Sequence, residues 1–125
     1  MATLRAEVAG HRILVVSRDG QDGRLWNHRN SLERAGYRVS QARSLWDAAC
    51  LAGDSRPNLI VLEPSFSERE QVAFVDCLHE SYPGIHVLCL RSGDASTEDL
   101  LWECRSILMQ QPGGKKVHTL RNSAA

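Results

Sequence analysis

Several side chains that could do chemistry follow directly after apolar runs in this sequence. The run LIVL is followed by Glu63, the run RILVV by Ser17 and Arg18, and the run IHVLCL by Arg91 and Ser92. In open parallel α/β sheets, sites form outside the carboxyl ends of the strands. If the three runs are strands of one sheet, these side chains gather at one edge. A carboxylate there could serve as a nucleophile, a metal ligand or the partner of a cation.

The elements that would position these residues alternate between strands and helices. RILVVS, NLIVLE and IHVLCLR are apolar throughout, which is typical of strands buried on both faces. YRVSQA alternates between polar and apolar residues, which predicts an edge strand. Capping pairs predict the starts of three helices: Ser44 with Asp47, Ser67 with Glu70, and Ser96 with Asp99. The alternation predicts an α/β fold with a parallel sheet.

Length and charge limit the kinds of partner. The chain has 125 residues, which suits one domain, and we assign residues 11–120 to it, 1–10 to an N-terminal lead and 121–125 to a tail. Fifteen basic and fifteen acidic residues cancel, so no nucleic-acid or membrane-surface partner is predicted. No apolar run approaches the roughly 20 residues that span a bilayer. We therefore expect a cytoplasmic protein.

The cysteines and histidines predict neither a disulfide framework nor a metal site. Each of the four cysteines, Cys50, Cys77, Cys89 and Cys104, falls in an apolar stretch, so we expect buried, reduced thiols. The five histidines are scattered without the spacing of zinc ligands. We expect no metal and no cofactor.

Taken together, these segments resemble the receiver domain of bacterial two-component response regulators. The resemblance covers about residues 11–110 and rests on RILVVS followed by a helix ending LERAGYRV, on RPNLIVLEP and on YPGIHVLCLRSG. It implies a flavodoxin-like, doubly wound parallel sheet of order 2-1-3-4. Residues 117–120 offer a short fifth strand, and the last helix of the family is missing from the pattern.

The chain departs from the family at the positions that carry its chemistry. Where the family has two Mg²⁺-binding acidic residues, this sequence has Ser17 and Arg18, and Glu63 stands at the phosphoryl-accepting aspartate. Arg91, followed by Ser92, stands at the family's Thr or Ser, and no lysine matches the end of the fifth strand. The resemblance therefore implies a degenerate pocket with no catalytic residue, and we expect a protein that is not an enzyme.

One change of register would restore an acid to this pocket. If the loop slips by one residue, Asp19 takes the place of the second acidic residue, with Asp22 nearby. Three hypotheses for Glu63 thus stand side by side. It is a solvated strand end, it forms a fixed ion pair with Arg91 or Arg18, or it is phosphorylated.

The missing helix predicts association. If the first helix, with Leu25, Leu32 and Ala35, covers one face of the sheet alone, apolar strands remain bare on that face. We expect a homodimer or a tight complex with a protein partner, through that face or the fourth-helix side near Trp102. Trp26, Trp46 and Trp102 are expected to cover the sheet in part, with partner contact as the alternative.

The function that the sequence favours is a degenerate receiver-like module. It would act through protein interactions in bacterial phosphorelay-type signalling, without standard aspartyl phosphorylation. The alternatives are an atypical phosphoacceptor receiver and a flavodoxin-like domain that binds a small ligand at Ser17, Glu63, Arg91 and Ser92.

Overall fold

A computed structural model describes residues 10–18, 24–64, 66–90, 96–109 and 116–120. Strands and helices alternate along the chain. The strands are β1 (Arg12–Val16), β2 (Arg38–Ala42), β3 (Leu59–Leu62), β4 (His86–Leu90) and β5 (Val117–Leu120). The helices are α1 (Arg24–Arg34), α2 (Leu45–Ser55), α3 (Glu68–Ser81) and α4 (Thr97–Leu108).

The five strands form one parallel sheet of order β2-β1-β3-β4-β5. This order confirms the predicted 2-1-3-4 arrangement, and residues 117–120 add the fifth strand. β2 lies at one edge, as its alternating sequence predicts. At the other edge, His86 on β4 and His118 on β5 meet with Nδ1 and Nε2 3.1 Å apart. The carboxyl ends of β1 and β3 lie side by side, because Val16 and Leu62 are register partners.

The central strands bury side chains on both faces of the sheet, and each face is covered by two helices. On one face, Leu32 of α1 and Leu100, Cys104 and Ile107 of α4 belong to one buried cluster with alternate residues of β1, β3 and β4. On the other face, α2 and α3 complete a second cluster. The prediction that α1 alone covers one face is therefore wrong. The sequence shows that α4 has an apolar stripe, but it does not show on which side of the sheet the stripe packs.

The position of α4 also gives its crossover an unusual hand. Across the sheet, the connection through α1 moves towards the β2 edge on one face, and the connections through α2 and α3 move towards the β5 edge on the other face. Because both the direction across the sheet and the face are reversed, these three crossovers share one hand. The connection through α4, from β4 to β5, also moves towards the β5 edge, but α4 packs on the same face as α1. Its crossover therefore has the opposite hand, although one hand strongly dominates among parallel crossovers. Among the described helices, none from this connection covers β4 and β5 on the α3 face.

The three predicted helix starts are confirmed by hydrogen bonds. The side-chain oxygens of Ser44, Ser67 and Ser96 each accept a hydrogen bond from the backbone N–H three residues later. At Ser67 the capping box is complete, because the Glu70 carboxylate also accepts from the Ser67 N–H at 2.9 Å. Such caps satisfy N–H groups that the first turn of a helix leaves unpaired.

Two of the expected burials are wrong. Cys89 and Cys104 are buried, but Cys50 on α2 and Cys77 on α3 are exposed. Their apolar neighbours in sequence do not bury them, because both cysteines lie on the outward sides of amphipathic helices. Burial raises the pKa of the Cys104 thiol to about 12.

Trp46 and Trp102 do not cover the sheet as expected. Trp46 on α2 is 78% exposed and Trp102 on α4 is 69% exposed, while the side chain of Trp26 lies outside the described residues. Large exposed aromatic side chains favour the alternative that the sequence leaves open, contact with a partner.

Candidate functional site

Glu63 lies at the carboxyl end of β3 and is buried, with 5% of its surface exposed. Its backbone N–H donates to the Val16 carbonyl at 3.1 Å, which continues the β1–β3 pairing by one residue. This pairing draws the carboxylate in beside the end of β1 instead of letting it extend into water. The hypothesis of a solvated strand end is therefore wrong.

Both oxygens of the Glu63 carboxylate accept hydrogen bonds from the end of β1. The Ser17 hydroxyl, itself fully buried, donates to Oε2 at 2.8 Å. The Arg18 backbone N–H donates to Oε1 at 2.6 Å. Hydrogen bonds to an ionised acceptor are shorter and stronger than neutral ones. Ser17 and Arg18, two of the predicted site residues, thus fix Glu63 in place.

The Arg18 side chain points to a different carboxylate. Its guanidinium Nη2 lies 2.7 Å from Oε2 of Glu70 on α3, and its Cζ lies 4.9 Å from the centre of the Phe66 ring. The ion pair predicted between the Arg18 guanidinium and Glu63 is thus replaced by a backbone contact to Glu63 and a side-chain contact to Glu70. Because both charged groups are about half exposed, the ion pair itself contributes little to stability.

Glu70 connects this site to the start of α3. One carboxylate oxygen accepts from the Ser67 N–H in the capping box, and the other meets Arg18. These contacts hold the pKa of Glu70 below its ordinary value of 4.5, chiefly through the Ser67 backbone N–H and with a smaller effect from Arg18. The sequence predicts the capping box but not the link to Arg18, since the partners are 52 positions apart.

This lowered pKa predicts a specific response to acid. A carboxyl group whose pKa is lower in the folded state stabilises the fold above its unfolded pKa, and the stabilisation is lost as the pH falls through the folded pKa. The stability of the wild type should therefore decrease more than that of Glu70→Gln as the pH falls below 4.5. Urea unfolding of both proteins at a series of pH values measures the difference. Parallel profiles would show that Glu70 gains nothing from these contacts.

The remaining predicted site residues lie outside the described residues. These are Asp19 and Asp22 after β1, and Arg91 and Ser92 after β4. The proposed Glu63–Arg91 pair and the slipped register with Asp19 therefore stay predictions. Within the described parts of the chain, no group of three or more His, Cys, Asp or Glu residues is arranged to hold a metal ion.

The geometry makes Glu63 an acceptor of internal hydrogen bonds. For a carboxylate to attack a phosphorus atom, one oxygen must approach the phosphoryl group in line with the leaving group. Here Oε1 and Oε2 each accept one hydrogen bond, from Arg18 and Ser17, and Glu63 is buried, so the approach of a phosphoryl donor would require the site to open.

Solved structures of response-regulator receiver domains share this fold. Chemotaxis protein CheY4 of Vibrio cholerae is 20% identical, with 92% of this chain and 88% of that chain covered and a TM-score of 0.60. A CheY-like receiver domain protein of Methanospirillum hungatei is also 20% identical, with 90% and 82% covered and a TM-score of 0.60. The N-terminal domain of a receiver protein of Methanoculleus marisnigri is 17% identical, with 91% and 85% covered and a TM-score of 0.61.

These likenesses confirm the receiver-type fold that the sequence resemblance implied. No protein-family model matches the chain, and no curated protein matches it. No helix within the described residues is long and apolar enough to cross a membrane. The likeness to the solved structures shows that the fold is that of CheY-like receiver domains.

Proposed function

We propose that this chain is a receiver-like signalling domain that acts through protein contacts and does not depend on phosphorylation of its strand-end carboxylate. The observation that carries the proposal is the closed arrangement around Glu63. The carboxylate is buried, and Ser17 and Arg18 donate to its two oxygens. In this arrangement, hydrogen bonds hold the carboxylate at the end of β3 in a fixed position.

The chemistry of the surrounding residues supports this proposal. Phosphoryl transfer to a carboxylate requires a metal ion to neutralise charge on the transferring oxygens. Mg²⁺ prefers oxygen ligands in near-octahedral geometry, usually including one or two carboxylates. Ser17 and Arg18 stand where the resembled family has acidic ligands, and the Arg18 cation lies over Phe66 beside this site. A cation already in this region opposes the binding of a second one.

The partner in this proposal is a protein, and a second copy of the chain is the first candidate. The exposed Trp102 on α4 is the kind of side chain that anchors protein interfaces. The proposal includes neither nucleic acid nor membrane as a partner, in keeping with the balanced charge of the sequence. It places the protein in the cytoplasm and assigns it no enzymatic activity.

Intact-mass spectrometry after incubation with acetyl phosphate and Mg²⁺ tests the proposal. We expect the mass of the wild type to remain unchanged, because Glu63 is engaged by two internal donors. Glu63→Gln is the matched variant, since it removes the carboxylate and keeps the size of the side chain. A gain of one phosphoryl group by the wild type but not by Glu63→Gln would overturn the proposal in favour of an atypical phosphoacceptor.

A further inference from the structure

A groove lies between α3 and the β4–β5 edge, on the face of the sheet that α4 does not cover. Its volume is about 230 Å³. Val75 of α3, Cys89 of β4 and Val117 of β5 supply apolar surface, and Val72 of α3 is more than half exposed beside them. Glu68 and Asp76 of α3 also line the groove and give it an acidic character.

The groove is a consequence of the unusual hand of the last crossover. If α4 connected β4 to β5 with the same hand as the other crossovers, it would lie on the α3 face, beside β4 and β5. It packs instead through Leu100, Cys104 and Ile107 on the opposite face. The open position therefore lies where an α/β fold of this strand order ordinarily holds a helix, and an amphipathic helix is the element that fits it.

The outer side of α4 has the complementary properties. Trp102, Arg105 and Met109 follow one another at helical spacing, and together with Ser106 they line a single shallow surface. Trp102 is 69% exposed and Met109 is 50% exposed, although both are large apolar side chains. This surface combines two apolar anchors with one cation, whereas the groove combines an apolar floor with two carboxylates.

We propose that a second copy of this chain docks the Trp102–Arg105–Met109 surface of its α4 into the groove between α3 and β5. Trp102 and Met109 contact the apolar floor, and Arg105 faces the carboxylates of Glu68 and Asp76. This inference rests on the proposed function, for which it names the partner and the two surfaces. Since the surfaces differ, the contact joins unlike patches and either closes into a ring or extends from copy to copy.

Sedimentation velocity of purified chain, from micromolar to hundred-micromolar concentration, tests the contact. We expect the wild type to associate as its concentration rises. Val72→Asp in the groove and Trp102→Asp on α4 should each weaken association at least tenfold. Both positions are exposed, so circular dichroism should show unchanged folding. Trp46→Asp, which alters an even more exposed tryptophan on α2, is the matched control and should associate like the wild type.

Mixing the two variants gives the sharper test, because each retains the surface that the other has lost. An equimolar mixture of Val72→Asp and Trp102→Asp should form a one-to-one complex that neither forms alone. Charge reversal provides an independent check, since Arg105→Glu should weaken association and Asp76→Arg should partly restore it in the double variant. A monomeric wild type, variants that associate normally, or a mixture without complex would overturn the proposal.

The failure of this inference is separable from failure of the proposed function. Association is read by sedimentation, whereas phosphorylation is read by mass on the same preparations. If the wild type is monomeric and stays unphosphorylated, only the claim that a second copy is the partner is contradicted. If the chain is phosphorylated and the two variants still form their mixed complex, only the proposed independence from phosphorylation is contradicted.

Discussion

Replacing Glu63 with alanine is expected to lower the free energy of unfolding by about 2–4 kcal/mol, because it leaves the buried Ser17 hydroxyl and the partly buried Arg18 N–H without their acceptor. The Ser17 hydroxyl and the Arg18 N–H both donate to this carboxylate, and Ser17 is fully buried. Each unsatisfied buried group costs roughly 1–3 kcal/mol. Urea unfolding at neutral pH measures the loss. Glu80→Ala, at an exposed acid on α3, is the control and should change stability by less than about 0.5 kcal/mol.

A double-mutant cycle separates the hydrogen bond from the rest of the effect. Ser17→Ala should cost less in the Glu63→Ala background than in the wild type, because the acceptor is already gone. A coupling energy of about 0.5–3 kcal/mol is typical of residues in direct contact. If the two changes are additive and Glu63→Ala behaves like Glu80→Ala, Glu63 is not held as the structure indicates.

Leu100→Ala should destabilise the fold by about 2–5 kcal/mol, the range for large-to-small changes in a packed core. Leu100 is 1% exposed and belongs to the cluster that α4 forms with α1 and the sheet. The loss of stability has two parts: the removed carbon atoms no longer contribute their free energy of transfer from water, and a cavity remains in the core. Chemical unfolding with a two-state fit measures it.

The neighbouring Trp102 is the control for this prediction. Although it lies two positions along the same helix and is larger, it faces outward, so Trp102→Ala should change the stability of the monomer by less than about 0.5 kcal/mol. Measurements at low micromolar concentration keep self-association from contributing. Equal effects at the two positions would mean that α4 does not bury the face that carries Leu100.

Much of the fold could be predicted because its signals are local. Continuous apolar runs identify β1, β3 and β4, alternation identifies β2 as an edge, and serine-led pairs identify the starts of α2, α3 and α4. The faces of the sheet could not be assigned in the same way. The stripe of α4 shows that the helix has an apolar side, but the choice between faces depends on connections and on packing between distant residues.

The location of the candidate site could be predicted, but its contacts could not. Position at strand ends brings Ser17, Arg18 and Glu63 together, and the structure confirms their proximity. A prediction that pairs side chains of opposite charge does not consider backbone groups, so it misses the hydrogen bond from the Arg18 backbone N–H to Glu63. Almost every residue has a backbone donor, so residue types alone cannot reveal which one a buried carboxylate will meet.

The exposed cysteines show a related limit. Cys50 and Cys77 have apolar neighbours along the chain, yet on a helix the neighbours in sequence point in different directions. Helical periodicity, and not local hydrophobicity, decides burial there. Cys104 follows the i, i+4 spacing from Leu100 and is buried, as that period predicts.

Under the proposed function, the hydrogen bonds from Ser17 and Arg18 keep the Glu63 carboxylate in place and closed to a phosphoryl group. Amide NMR spectra of the ¹⁵N-labelled protein, recorded before and after addition of Mg²⁺ and beryllofluoride, show whether the site opens. Beryllofluoride binds as a phosphoryl analogue at an accessible carboxylate with its metal ion. We expect the amide signals of Ser17, Arg18 and Glu63 to stay in place at millimolar ligand. Saturable shifts of these three signals that require both Mg²⁺ and beryllofluoride, and that vanish in Glu63→Gln, would mean that Glu63 is an accessible phosphoacceptor.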